Sequence, residues 1–409
     1  MPIFEEEYDV IVIGGGPAGG QTARELSKKG IKVLLVEKYA SFKLNNFSSA
    51  GMTLAPLEEF KLPESVVGAY WKDLVIQCTK DIHIWEGEVK KGVVLNFQKL
   101  REFLAEETLK NGGAVLMGYK YLSKKGIDNL VEITLQNSST KEIRKVKSKI
   151  VVDATGPLRK VMFDANEQQP EMILGSGTEY EIEVSQEIYD KYKDKLLFFL
   201  GHKWAIKGYS WIFPMENRIL KVGAGKTHLK SIDQDKTDKT TRSITEKIIA
   251  EYLQATQYKI IDKHGGIVRY CKGLKDTFYK DKVVGVGDAI SAINPRGGEG
   301  IRYAMQSGAL AAKYIQEYLE TGKDNFKEYR KVWLKQKSKK WKLSEYSAAR
   351  MYSKYSDVQI ENRIRFFHKN FSIDDMIDSL FNFKYNNVFL RALQYSYVKF
   401  IYFFKNEKF

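Results

Sequence analysis

The chain has 409 residues, 43% hydrophobic and 29% charged, enough for two or three domains with a real core and too apolar for disorder. Its formal charge is +15, and the segment from Glu320 to Phe409 carries 19 Lys+Arg against 10 Asp+Glu, so most of the excess is C-terminal. Two cysteines without a CxxC pair exclude a disulfide scaffold or zinc module, and five histidines with no HExxH-like cluster suggest no metal. The N-terminus lacks a secretory signal, and no apolar run of about 18 residues marks a membrane span. The expectation is a cytoplasmic protein, with any membrane association peripheral.

In chain order, Asp9–Ile13 reads as a buried parallel strand, followed by glycines and a helix from Pro17 to Lys29 that stops at Gly30. Lys32–Glu37 is the second strand, so the chain opens with a βαβ unit. Gln98–Asn111 has the spacing of an amphipathic helix, stopped by Gly112 and Gly113. Short strands are expected at 114–121, 131–136 and 141–146, with a turn at Asn137-Ser138-Ser139, then a buried strand at 149–153. Residues 161–270 read as a mainly antiparallel sheet. Lys282–Gly287 returns to buried-strand character, and Glu299–Leu319 is a long helix closed by Gly322. The remainder reads as helical, basic and aromatic.

Gly14-x-Gly16-Pro17-Ala18-Gly19 follows a strand and opens a helix. Gly14 permits the tight turn, Gly16 lets backbone approach a pyrophosphate, and Gly19 lets helix pack on strand. The helix N-terminus offers free N–H groups to the anion. Glu37, with Lys38 beside it, stands where an acid would hold the adenosine ribose. A dinucleotide is therefore expected here.

Asp153-Ala154-Thr155-Gly156 and Gly285-Val286-Gly287-Asp288 each close a buried strand. With these motifs the sequence resembles the glutathione-reductase-like flavoproteins. The resemblance implies FAD, with Ala154, Thr155, Gly156, Gly287 and Asp288 flanking it and Asp288 near the ribityl–phosphate region. Pro295, Gly298, Gly300 and Ile301 then lead into the long helix, whose N-terminus would face the isoalloxazine pyrimidine. Ser49, Ala50, Gly51 and Leu122 complete the expected cofactor residues. Gly225-Lys226-Thr227 is no P-loop, because Leu220 stands where the motif needs glycine.

Tyr209-Ser210-Trp211-Ile212-Phe213-Pro214, followed by Val222-Gly223-Ala224-Gly225, resembles the YxWxFP…VGxG signature of the geranylgeranyl reductase family. The resemblance covers roughly residues 8–335. It implies hydride transfer from reduced flavin to C=C bonds of a polyprenyl chain, such as an archaeal-type membrane lipid. Tyr209, Trp211, Phe213 and Pro214 are then the substrate wall, with Tyr209 and Trp211 as catalytic candidates. Tyr209 would be a weak proton donor, its unperturbed pKa being about 10. Ordinary sheet core is the competing reading of the aromatic alternation. Two departures stand out: Phe47-Ser48-Ser49-Ala50-Gly51 lacks the family's frequent cysteine, and Phe97 occupies the place of a frequent arginine.

The expected organisation is α/β: a Rossmann-type FAD domain from 1–61, 98–160 and 271–320, and an inserted antiparallel substrate domain from 62–97 and 161–270. A helical region, 321–409, completes it. Two other functions share the motifs, a flavin monooxygenase hydroxylating an aromatic or lipid-like substrate and a non-catalytic flavin electron carrier. A halogenase ranks lower, since Tyr209 and Phe213 depart from its WxWxIP motif. The electron donor is open between NAD(P)H and a ferredoxin-like protein. The basic tail suits phosphate head groups or a membrane surface, to which Leu393–Phe409 could add an interfacial segment or else pack on the core. No nucleic-acid recognition motif is present.

Overall fold

The computed structural model describes residues 7–205, 207–228 and 240–384. The segment Leu393–Phe409 lies outside them. The chain divides into two compact units: residues 1–50, 96–175 and 267–344 form one, and 51–95, 176–266 and 345–409 the other. Each is discontinuous, as expected for an insertion. The division places 51–61 and 345–409 with the antiparallel unit, where the sequence suggested the FAD domain and a separate C-terminal region.

The first unit is built on a sheet whose central order is Tyr279–Lys280, Val283–Gly285, Ile143–Asp153, Glu7–Ile13, Val33–Glu37, Ala114–Met117. All neighbours along this path are parallel except the first pair. Val10 to Val12 and Val33 to Val36 are at most 1% exposed, which is why these runs show no polar alternation. The register sets the site. Ile13 pairs with Asp153 and with Val36, and Asp153 pairs with Gly285. Four strands thus end flush at one carboxyl edge, the edge where open α/β sheets bind ligands.

The expected strands 141–146 and 149–153 are one continuous strand, Ile143–Asp153. Its N-terminal half joins an antiparallel arm with Leu130–Asn137 and Tyr119–Ile127, while its C-terminal half enters the parallel sheet. Lys145, Lys147 and Lys149 made the sequence look broken. They lie on the polar side of a strand that is half arm and half core. The expected strand 114–121 is two, Ala114–Met117 and Tyr119–Ile127, parted at Gly118 (φ +78°), while the helices fall within a few residues of expectation at Pro17–Ser27, Phe97–Lys110 and Ile301–Thr321, the last closed by Gly322 at φ +68°.

The second unit holds a seven-stranded sheet in the order Lys259–Cys271, Met172–Glu183, Ile219–His228, Gly208–Pro214, Lys195–Phe199, Asp73–Gln77, Ile82–Trp85. Gly208–Pro214 pairs antiparallel with both Ile219–His228 and Lys195–Phe199, and Asp73–Gln77 antiparallel with Ile82–Trp85, as expected, whereas Lys195–Phe199 and Asp73–Gln77 run parallel. Helices Asp357–Asn370 and Ile373–Ile377 pack on it. Specific bonds fix them: Thr79 Oγ1 donates to Asp357 (2.7 Å), His202 N to the same carboxylate (2.9 Å), and Trp85 Nε1 to the Phe371 carbonyl (3.0 Å). Ile360, Ile364, Phe371 and Phe381 fill the interface between helices and sheet.

One buried ion pair braces the first unit. Arg159, fully buried just after the Ala-Thr-Gly turn, donates from Nη2 to Asp276 (2.7 Å) and Ser291 (3.0 Å). Ser291 Oγ in turn accepts from the Cys271 N–H (2.7 Å). Removing one member leaves a buried charge without its counterion. Arg159→Ala is expected to lower unfolding free energy by about 3–5 kcal/mol, seen as a lower urea midpoint; an unchanged midpoint would show the pair to be dispensable.

Candidate functional site: the flavin cradle and the aromatic sheet face

The glycines of the first turn do different work. Gly14 adopts φ +116°, and a Cβ there would lie 2.2 Å from the Ala154 carbonyl oxygen. A Cβ on Gly19 would lie 1.9 Å from the Gly14 oxygen. Both exclusions are internal to the fold and hold helix, turn and Ala154 strand-end together. A Cβ on Gly16 would meet nothing within 4 Å. No protein atom demands that glycine; the open space over it suits close approach of a ligand backbone contact.

Helix Pro17–Ser27 begins at Gly16 with Pro17 at its first position, no side-chain cap and no acidic residue in its first turn. Helix Ile301–Thr321 begins at Gly300 in the same uncapped, acid-free state. Their leading N–H groups and positive dipole ends suit an anion and an electron-rich ring respectively. Ala18 sits where the two helices touch: Cβ atoms on Gly287 and Gly308 would fall 2.7 Å from its Cβ and 2.5 Å from its carbonyl.

Glu37 is 6% exposed. One carboxylate oxygen accepts from Gly15 N (2.9 Å), the other from Tyr39 N (3.0 Å), so the acid is already oriented at the strand end. Lys38 lies beside it with its ammonium 4.6 Å from the Tyr39 ring centroid. Arg101 was not anticipated. It stands in helix Phe97–Lys110, 3% exposed, its guanidinium over the Phe97 (4.6 Å) and Phe42 (5.2 Å) rings and bonded to the Phe42 carbonyl. An arginine therefore does reach the loop after Glu37, four residues beyond Phe97. A cation one helical turn further on was the available signal.

Asp153 explains the Ala-Thr-Gly turn. It is fully buried and accepts four bonds: from Thr155 N (2.9 Å), Thr155 Oγ1 (2.7 Å), Val161 N (3.1 Å) and Met162 N (2.8 Å). Gly156 follows at φ +70° with open space over it. Gly287 adopts φ +62° and donates its N–H to Ser307 Oγ (2.8 Å). Asp288 next to it is only partly buried, and a Cβ on Gly300 would lie 3.9 Å from its Oδ1. Surrounding protein pushes its carboxyl up to about 6, opposed by Arg159. The loop from Pro295 to Gly300 is shaped by buried Asn294, which bonds Glu299, Gly298, Arg296 and Ser344. Gly298 (φ +64°) and partly exposed Pro295 and Gly300 remain accessible, and Ile301 turns into the helix core.

Four expected residues fall differently. Ala50, at φ +54°, is buried. Ser49 is partly exposed beside it. Gly51 begins a short strand of the second unit, and a Cβ there would lie 3.0 Å from the Phe213 ring, so packing requires this glycine. Leu122 is the extra residue of a bulge, where pairing shifts from Thr134–Ser123 to Leu135–Tyr121, and it is 44% exposed on the antiparallel arm. Nothing in that position brings it to the glycine turns.

In the second unit, Tyr209, Trp211 and Phe213 share one face, with ring centroids 5.6 and 6.4 Å apart along the strand and Phe198 5.6 Å from Tyr209 and 5.2 Å from Phe213. The glycines of Val222-Gly223-Ala224-Gly225 make room for them: a Cβ on Gly223 would lie 2.3 Å from the Trp211 ring. Trp211 and Phe213 are at most 5% exposed, packed with Ile360, Met376 and Phe381 of the C-terminal helices, and Pro214 is buried at the strand end. Much of this face is therefore sheet core. Tyr209 stays partly exposed, 6.4 Å from Tyr352.

A family model described as FAD binding domain matches residues 7–331. The chain belongs to that family. The flavoprotein's cofactor is FAD, and the uncapped helices, the clear space over Gly16 and Gly156, and the oriented Glu37 all fit it. The chain is 26% identical over 319 residues, 75% of each protein, to digeranylgeranylglycerophospholipid reductase of Haloferax volcanii. It is 28% identical over 353 residues to digeranylgeranylglycerophospholipid reductase 3 of Methanosphaera stadtmanae, spanning 82% of this chain and 85% of that one. Its fold is that of a geranylgeranyl bacteriochlorophyll reductase-like protein from Thermoplasma acidophilum, with TM-score 0.80, 23% identity, and 92% and 95% of the two chains covered. The p-nitrophenol 4-monooxygenase of Pseudomonas putida has the same general fold at TM-score 0.69 and 16% identity, over 93% and 98%.

Two measurements test the cradle. Gly16→Ala should leave the melting temperature of the FAD-free protein unchanged and weaken FAD at least about tenfold, a loss near 1.4 kcal/mol, whereas Gly19→Ala should destabilise the fold itself. Equal melting losses in both would remove the ligand-facing role of Gly16. Asp288 binds its proton more tightly folded than unfolded, so the FAD-free fold should lose stability as pH rises from about 4 to about 6, by roughly 2–3 kcal/mol at most. Asp288→Asn should flatten that slope in pH-dependent urea titrations; an unaltered slope would place the titration elsewhere.

Proposed function

We propose that this flavoprotein reduces C=C double bonds of a geranylgeranyl chain carried on a phosphate- or glycerophosphate-bearing lipid. The observation that carries the reading is partly exposed Tyr209 at the end of the packed Trp211 and Phe213 row, in a chain whose relatives over three quarters or more of its length are named digeranylgeranylglycerophospholipid reductases. An isoprenoid offers no polar handle along its length, so aromatic surface is the chemistry that would hold it. The 19 Lys+Arg from Glu320 onward suit an anionic head group and a peripheral contact with a lipid surface. No described helix is long and apolar enough to cross a membrane.

Bound FAD, once reduced, supplies the hydride. The protein's own tasks are to hold an unactivated alkene against the flavin, exclude water and deliver a proton to the second carbon. Tyr209, partly exposed on the aromatic face, would serve as a substrate contact, with buried Trp211 and Phe213 as the packed wall behind it. The hydroxylase alternative shares the fold, but the likeness to a monooxygenase stands at 16% identity. The electron-carrier alternative gives no account of the likeness to the named reductases. Either NAD(P)H or a ferredoxin-like protein fits as electron donor.

The deciding experiment is anaerobic. The holoprotein is reduced with dithionite, freed of excess, and mixed with a geranylgeranylated phospholipid while flavin absorbance and product mass are followed. Flavin reoxidation with two hydrogens gained per bond is expected. A flavin that stays reduced until oxygen enters would sink the reading for this lipid and favour the hydroxylase.

A further inference from the structure

The sheet face that carries Trp211 also carries a set of ionisable side chains that the cofactor site does not use. Trp211 Nε1 donates to Glu179 Oε2 at 2.7 Å. Glu179 lies on Met172–Glu183 and is fully buried, and its Oε1 has no hydrogen-bond partner among the described residues. That oxygen is 4.0 Å from Nε2 of His264, on the neighbouring strand Lys259–Cys271. The other ring nitrogen of His264, Nδ1, lies 3.2 Å from Asp262, whose side chain is 44% exposed. Side-chain exposure thus falls from 44% at Asp262 to 10% at His264 to zero at Glu179. The same cluster holds Glu181, two residues along the strand, and Lys221, 1% exposed and 3.6 Å from Glu181. Lys221 pairs across the sheet with Phe213, so it shares the aromatic face.

We propose that Asp262, His264 and Glu179 form a proton line from solvent into the aromatic face, with Glu179 as its terminal proton store for the reduction. This rests on the reductase reading above. Burial pushes the Glu179 carboxyl up to about 7, with Glu181 adding to it and Lys221 and the Trp211 bond opposing. Burial likewise lowers His264, against the pull of Asp262 and Glu181. Near neutrality Glu179 therefore retains a proton that a carboxyl in water would have lost, the state that a proton store requires. Lys221 opposes binding of a metal cation by Glu179, Glu181 and His264, whose nearest atoms lie within 4.8 Å of one another. Trp211 links the line to the packed aromatic wall, and its bond fixes the carboxyl so that Oε1 stays toward His264.

The balance closes with groups already named. The alkene π bond breaks; one carbon gains a hydride with its electron pair from the reduced flavin, and the other gains the Glu179 proton. The carboxylate left behind is reprotonated through His264, which recovers a proton from Asp262 and solvent. No further oxidant or reductant is needed. It also assigns a proton source in a chain that has Phe47-Ser48-Ser49-Ala50-Gly51 in place of a cysteine-bearing segment.

The test uses holoprotein and two readouts. Infrared difference spectra over pH 5–9 should show a protonated carboxyl that titrates near pH 7 in the wild type and is missing in Glu179→Gln. Anaerobic single-turnover flavin reoxidation by a geranylgeranylated phospholipid should slow above about pH 7 in the wild type. Removal of a proton donor typically costs about 10²–10⁴-fold, so Glu179→Gln should slow it at least tenfold and lose the pH dependence. His264→Asn should slow reprotonation, and Glu179→Asp should recover part of the rate. Retention of wild-type rate and pH profile in Glu179→Gln overturns the proton line while leaving the reductase reading intact. A wild-type flavin that the lipid does not reoxidise overturns the reductase reading, and the infrared titration then still reports whether Glu179 holds its proton.

Discussion

The first unit depends on backbone-to-backbone contact at one point. The Gly14 turn, the start of helix Pro17–Ser27 and the end of strand Ile143–Asp153 approach so closely that side chains at Gly14 or Gly19 would overlap carbonyl oxygens. That contact fixes the direction in which the helix leaves the sheet. It also fixes where the helix's free N–H groups point. The second helix, Ile301–Thr321, is set against the first through Gly308 and Gly287, so its uncapped start is positioned by the same contact. Asp153 completes the arrangement from below by gathering four donors of the following turn. The cradle is therefore a property of main-chain packing, and its side chains are secondary to it.

Much of this was legible in sequence because each motif has a steric meaning. Gly-x-Gly-x-x-Gly, Ala-Thr-Gly and Gly-Asp all close buried strands, and parallel register necessarily brings such ends to one edge. The helix at 301–321 was equally clear from its apolar stripe and Gly322. What stayed hidden were relations between distant residues. Arg101 was obscured because a motif position was sought at Phe97, whereas a guanidinium has the reach to serve from the next turn. Leu122 carries no mark in sequence that it is a bulge residue turned outward. Continuity of Ile143–Asp153 was masked by lysines whose strand changes environment halfway.

The aromatic signature has a second meaning that lies in the pairing of its two strands. Gly223 and Gly225 alternate with Val222 and Ala224 because one side of that strand must accommodate the Trp211 ring while the other packs a separate apolar layer. The two halves of the signature, YSWIFP and VGAG, are thus a ring and its seat on adjacent strands. The indole so seated turns its N–H to Glu179. Neither Glu179 nor His264 belongs to any motif, and only strand order places them beside Trp211. Helices of the C-terminal region, read from sequence only as helical, basic and aromatic, are tied to the same sheet by Asp357 and Phe371.

The two uncapped helix starts have a consequence for the life of the protein in the cell. Neither start has a side-chain cap or a first-turn acid, so each offers the positive end of its dipole to one anionic, electron-accepting molecule. FAD is then a folding ligand as well as a reagent. At a free concentration about a hundredfold above its dissociation constant it would add roughly 2.7 kcal/mol to the stability of the folded chain. The abundance of this protein would follow flavin supply, since the unliganded form is the one that proteases meet more often opened.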